Sequence, residues 1–261
     1  MHFGNSHYPP KTTKRLPPAV ILAGGLGTRL RSAYAAGPKS MAPVRGRPFL
    51  DYLLSWLQGQ GVEEVILCVG YKMSHIKRFV GRGRKWGLQV KYSIERTPLG
   101  TGGALKKAER LTSKETLLVV NGDTLVDVSL QALVKFHRRR KALATLAAVK
   151  IVDGRRYGSL CLDARNRITA FLEKSGRGWN GSETEKALIN GGVYVFDRKL
   201  LKTIRARGPV SLERDVFPSL LAKKSVHAFT TDAYFLDIGI PEDFGRAQHE
   251  LPKRIPISHP R

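Results

Sequence analysis

Clustered glycines and fixed cations stand close together in AVILAGGLGTRLRSAYAAGPKS, residues 19–40. Gly24, Gly25 and Gly27 lack a Cβ, so positive φ is open to them and backbone N–H groups can close on phosphate oxygens. Arg29 adds a forked positive charge. Lys39 adds a second charge, on an approach stiffened by Pro38. An apolar run, a bare loop and fixed cations, in that order, suit a nucleoside triphosphate. Two acidic residues follow apolar runs elsewhere: Asp123 in VVNGDTL and Asp237 in AYFLDIG. Each alone fits a turn former or a cap. Together they can share one divalent cation, because magnesium takes one or two carboxylates alongside phosphates and water.

Competing chemistries find less support. A P-loop needs a glycine-lysine pair before Ser or Thr, and the chain has none. The dinucleotide fingerprint needs a third glycine at position 30, where Leu30 stands. There is no obvious Ser-His-Asp or Cys-His set. His137 shares a helical stripe with Leu130, Leu133 and Val134 and reads as a packed residue. Asp127, Asp232 and Asp243 read as surface or capping groups, the last in the acidic first turn of a helix opened by Pro241.

The elements that would carry these residues alternate. AVIL (19–22), EVILCV (64–69), LQVKYSI (88–94) and TLLVV (116–120) read as strands. Between and after them, PFLDYLLSWLQGQG, TGGALKKAERL and VSLQALVKFHRRR have helical spacing. This alternation predicts a three-layer α/β fold, Rossmann-like, with a mixed, mostly parallel sheet and helices on both faces. Leu22 ends its strand, so Ala23, Thr28 and the glycines fall at the sheet edge where ligands bind. LATLAAVKI, YGSLCLD and RITAFLEK read as antiparallel additions, GGVYVF as a further strand, and VHAFTT with AYFLDIG as a last pair. The predicted division is a basic, loose tail over 1–18, one domain over 19–250 and a loose tail over 251–261. KSGRGWNGSETEKA (174–187) reads as a long polar loop.

GGLGTRL followed by Pro-Lys resembles the signature of the sugar-phosphate nucleotidyltransferases, the NDP-sugar pyrophosphorylases. PLGTGGAL, VVNGDTL, FLEK, INGGVYVF and DIGIPEDF fit the same pattern in order, so the resemblance spans roughly residues 19–250. Within the family, MAPV, YSIE and RYG are similar to the D-glycero-D-manno-heptose 1-phosphate guanylyltransferases. Ser40 departs from a proline common there. The resemblance implies attack of a sugar 1-phosphate on the α-phosphorus of GTP, releasing pyrophosphate, with Mg²⁺ or Mn²⁺ held by Asp123 and Asp237. It implies that Gly100, Thr101 and Gly102 border the nucleobase, and that Gly122, Tyr157, Gly158, Asn190 and Gly191 border the sugar. Glu173 would meet a sugar hydroxyl, Lys174 the sugar phosphate, and Arg29 and Lys39 the triphosphate. The product would serve capsule or other surface glycans. Mannose 1-phosphate guanylyltransferases and uridylyltransferases share much of this motif set. Outside catalysis, a nucleotide-sugar sensor or a nucleic-acid binder would use the same scaffold.

A net charge of +24 favours anionic ligands without choosing among them. The basic run Arg138–Lys141 reads as a helix end rather than a nucleic-acid patch. No apolar run approaches the length of a membrane span, about 18 residues. Two cysteines in separate apolar stretches suit a reducing compartment, hence the cytoplasm. The expected partners are the two substrates, with no membrane, no nucleic-acid role and a dimer left open.

Overall fold

The computed structural model describes residues 15–25, 30, 34, 36–152, 157–172, 186–205, 208–257 and 259. Strands β1 (Ala19–Leu22), β4 (Glu64–Val69), β5 (Gln89–Ile94) and β6 (Thr116–Asn121) pair in parallel, in the order β6-β1-β4-β5. Alternation along β1 shows why. Ala19 and Ile21 face one apolar cluster and Val20 the other, so the strand is buried on both sides. Helices α1 (Phe49–Gly59), α2 (Met73–Val80) and α4 (Leu130–Arg140) cover the first face, and α3 (Gly100–Ala108) the second.

The sheet continues beyond β6 through β11 (Lys186–Asp197), which runs antiparallel to β6, to β8 (Ala144–Val152) and to β9 (Ser159–Leu162). β10 (Ile168–Leu172) closes the edge against β9. Helices α5 (Arg198–Thr203) and α6 (Phe217–Ala222) pack on the second face. The mixed sheet with helices on both faces is therefore the architecture read from the sequence.

The expected last strand pair does not form. β12 (Val226–Thr231) adds in parallel to β8, because Val226 and Ala228 bury their side chains under α6. β13 (Phe235–Asp237) instead pairs with β7 (Thr124–Val126) in a separate ribbon, Asp237 opposite Thr124. The hairpin of β2 (Pro43–Val44) and β3 (Arg47–Pro48) was not legible in advance; Arg45 and Gly46 turn it with positive φ.

The boundary after residue 250 also moves. α7 (Pro241–Arg254) runs through Pro252, and Leu251 and Ile255 are buried in the core. Farther on, His259 Nε2 lies 2.8 Å from Asp51 Oδ1, and its ring meets Trp86 edge-on. Among the described residues, no helix is long and apolar enough to cross a membrane.

Candidate active site

The strand order creates the site. From β1 the chain moves outward to β4 and β5, then returns to the other side of β1 as β6. The carboxyl ends of β1 and β6 thus diverge at a switch point, where α/β sheets open a crevice. Leu22 and Asn121 are register partners there, and Gly122 donates its N–H to the Leu22 carbonyl at 3.0 Å. Asp123 follows immediately. The β7–β13 ribbon then carries Asp237 back to it, with the Ile238 N–H bonded to the Asp123 carbonyl at 3.0 Å. Two carboxylates far apart in sequence are thereby placed side by side.

Lys39 closes this group. It opens a short 3-10 turn (Lys39–Met41) in which the Met41 N–H bonds to the Pro38 carbonyl. Its Nζ lies 2.7 Å from Asp123 Oδ2 and 3.4 Å from Asp237 Oδ1. Lys39, assigned from the sequence to phosphates, pairs with both carboxylates and offsets part of their charge. Burial pushes the Asp237 carboxyl above its usual range, the Asp123 charge adds to that, and Lys39 opposes both. Gly239 donates its N–H to Asp237 Oδ1 at 2.7 Å, and a Cβ on Gly239 would lie 2.6 Å from Lys39 Nζ. The neighbouring Ser40 is buried, and its hydroxyl has no hydrogen-bond partner among the described residues.

A cavity of about 280 Å³ opens beside Asp123. Its walls include the predicted Leu22, Gly24, Gly25, Gly100 and Thr101. Gly24 and Gly25 do not use positive φ, contrary to expectation. Gly24 provides room instead, since a Cβ there would lie 2.5 Å from Glu95 Oε1. Ala23 is buried and donates its N–H to the Cys68 carbonyl.

The glycines of α3 also hold a neighbouring segment in place. The Gly102 and Gly103 N–H groups are bonded to the Val210 carbonyl, at 2.8 and 3.3 Å, so they anchor a neighbouring segment. Gly100 has φ +70°, and a Cβ there would lie 2.4 Å from the Val210 carbonyl oxygen. Gly100→Ala is expected to cost about 1–3 kcal/mol from backbone strain alone, read as a lower urea midpoint. An unchanged midpoint would mean this turn yields freely.

Four wall residues were missed: Glu95, Pro98, Ala104 and Asn121. Glu95 ends the YSIE segment, and a carboxylate directly after a strand of the parallel half was the available signal. Burial raises its pKa, while the Leu99 N–H donated to Oε2 at 3.2 Å opposes the shift.

On the far side of β11 lies a second cavity of about 1080 Å³, lined by Tyr157, Gly158 and Asn190 among others. Gly191 packs against β8 inside a bulge of β11, where Gly192 takes φ +72°. Asp243 is no surface cap: it is buried, accepting from Tyr157 Oη at 2.7 Å and from Arg246 at 2.8 Å. Asp232 is exposed as expected. His137 is packed, with Nδ1 2.9 Å from Thr145 Oγ1, and burial lowers its pKa to about 4. Gly27, Thr28, Arg29, Glu173 and Lys174 lie outside the described residues, as does most of the 174–187 loop. Among the described residues, no group of three His, Cys, Asp or Glu side chains forms a metal cluster.

The chain is 42% identical to a D-glycero-alpha-D-manno-heptose 1-phosphate guanylyltransferase from Aneurinibacillus thermoaerophilus, over 89% of this chain and 97% of that protein. It is 39% identical to a mannose-1-phosphate guanylyltransferase from Mycobacterium tuberculosis, over 91% of this chain but 65% of the relative. The crystal structure of HddC from Yersinia pseudotuberculosis superposes with a TM-score of 0.80 at 34% identity, covering 90% of this chain and 99% of that one. HddC complexed with GMP-PN gives 0.79. With residues 18–254 matching the nucleotidyl transferase family, the chain belongs to that family.

Proposed function

We propose that this chain joins GTP to D-glycero-D-manno-heptose 1-phosphate, giving the GDP-sugar and pyrophosphate. The observation that carries the reading is the Asp123–Lys39–Asp237 group at the mouth of the β1/β6 crevice, beside the smaller cavity. An oxygen of the sugar phosphate bonds to the α-phosphorus, the bond to the β-phosphate oxygen breaks, and pyrophosphate leaves with that electron pair. The attacking phosphate is already ionised near neutral pH, so alignment and charge compensation suffice.

The nucleotide takes the smaller cavity, against Gly24, Gly25 and Thr101. Guanine suits Glu95, because its adjacent N1–H and N2–H donors match a carboxylate that only accepts. The sugar takes the larger cavity. By family resemblance, Arg29 offsets charge on the phosphates and Lys174 holds the sugar phosphate. The acid pair fits a divalent cation: its donors are hard oxygens, and it already draws one cationic group between them. Asp123 and Asp237 would hold that ion, which when bound supplies charge to offset the phosphates. A cytoplasmic setting and a product for surface glycans complete the proposal.

A panel of four nucleoside triphosphates against several sugar 1-phosphates, scored by pyrophosphate release with Mg²⁺, tests this reading. GTP with the heptose 1-phosphate should give the highest kcat/KM, and excess EDTA should stop it until Mg²⁺ is restored. A preference for mannose 1-phosphate would favour the second reading, supported by the 39% identity to the mycobacterial enzyme. No product from any pair, or full activity in EDTA, would count against the scheme itself.

A further inference from the structure

We propose that Glu213 selects the sugar: its carboxylate accepts hydrogen bonds from sugar hydroxyls while Thr101 fixes it from the nucleotide side. The inference deepens the reaction proposed above and rests on it. Two other side chains lining the larger cavity are engaged internally. Tyr157 donates its hydroxyl proton to Asp243. Asn190 donates from Nδ2 to Tyr194 Oη at 2.9 Å and accepts the Gly192 N–H at Oδ1, 3.1 Å away, which fixes the orientation of its amide. Glu213 differs. Its Oε2 accepts from Ser211 Oγ at 3.0 Å and from Thr101 Oγ1 at 3.4 Å. Its Oε1 makes no hydrogen bond among the described residues, and Glu213 lines that cavity. A carboxylate only accepts, whereas a sugar offers hydroxyl donors, so a half-anchored carboxylate suits this ligand.

The backbone supports the placement. Residues Leu212–Val216 form a single π-helical turn, a rare conformation found often at functional sites. Ser211 Oγ accepts the Arg214 N–H at 3.3 Å, and Asp215 Oδ2 accepts the Ser211 N–H at 2.6 Å, so the turn is held at its start. Thr101 Oγ1 also accepts the Leu212 N–H at 2.8 Å. Thr101 lines the nucleotide cavity and Glu213 the sugar cavity, so this contact joins the two half-sites.

Glu213→Gln tests the assignment. The amide oxygen can still accept from Ser211 and Thr101, but the outward group becomes a donor. The KM for the sugar 1-phosphate is expected to rise about tenfold or more, the loss of a charge-assisted hydrogen bond. The KM for GTP should stay within about twofold on the same reasoning. Monodeoxy analogues of the sugar 1-phosphate give the second readout. The wild type should reject at least one of them, and the variant should lose that discrimination. An unchanged sugar KM in a folded variant would overturn the proposal. So would equal rises in both KM values with a lowered Tm, which would make Glu213 a brace for the turn. If the wild type forms no nucleotide-sugar with any pair, the proposed reaction fails first, and that result is separate from the variant's.

Discussion

Asp123→Asn is expected to lower turnover about 100-fold or more, as removal of one preorganised charge does elsewhere. The exchange keeps the size of the side chain, and the Asp123 backbone carbonyl still receives the Ile238 N–H. Thr124 Oγ1 keeps an acceptor as well, since its 3.2 Å bond runs to Asp123 Oδ1 and an amide oxygen can take that place. The fold should therefore survive, and what disappears is one of two negative charges facing Lys39. With Asp237 alone, a divalent cation loses half of its carboxylate charge. The measurement is pyrophosphate release at saturating GTP and sugar 1-phosphate. If more Mg²⁺ returns part of the lost rate, the loss lies in cation affinity; a rate close to wild type would remove Asp123 from the chemistry.

The acid pair shows what sequence patterning carries and what it does not. β1, β4, β5 and β6 are legible because strands buried on both faces read as short apolar runs. Asp123 is legible because it follows such a run and the Asn121-Gly122 step after it. Its partnership with Asp237 depends on the β7–β13 ribbon, two three-residue strands with almost no pattern of their own. That is why β13 reads as the partner of β12, although β12 has the alternating apolar face that the sheet needs. Glycines mislead in a related way. A sequence shows that a Cβ is absent and leaves open whether the space serves a ligand, another strand or a turn. Gly24 yields to Glu95, Gly122 to Leu22 and Ala23, and Gly102 to Val210. Asp243 reads as a helix-start acid because position 243 lies in the first turn of α7; only the tertiary fold brings Tyr157 over it.

Lys39→Ala is the companion experiment, and a loss of about 100-fold or more is again expected. Its cause would differ. Without the ammonium, Asp123 and Asp237 face each other with no counter-charge among the described residues, and the Asp237 carboxyl loses the contact that favours its ionised form. Lys39→Arg separates charge from shape. A Cβ placed on Gly239 would already lie 2.6 Å from the ammonium, so a planar guanidinium has no room to settle between the carboxylates. Restoring the charge in that larger form should recover less than about a tenth of the wild-type turnover. Full recovery by arginine would mean that positive charge near the acids is enough and that the compact fit around Lys39 is incidental. Normal turnover in the alanine variant would be more serious, because the essential cationic group would then have to be Arg29 or Lys174 instead.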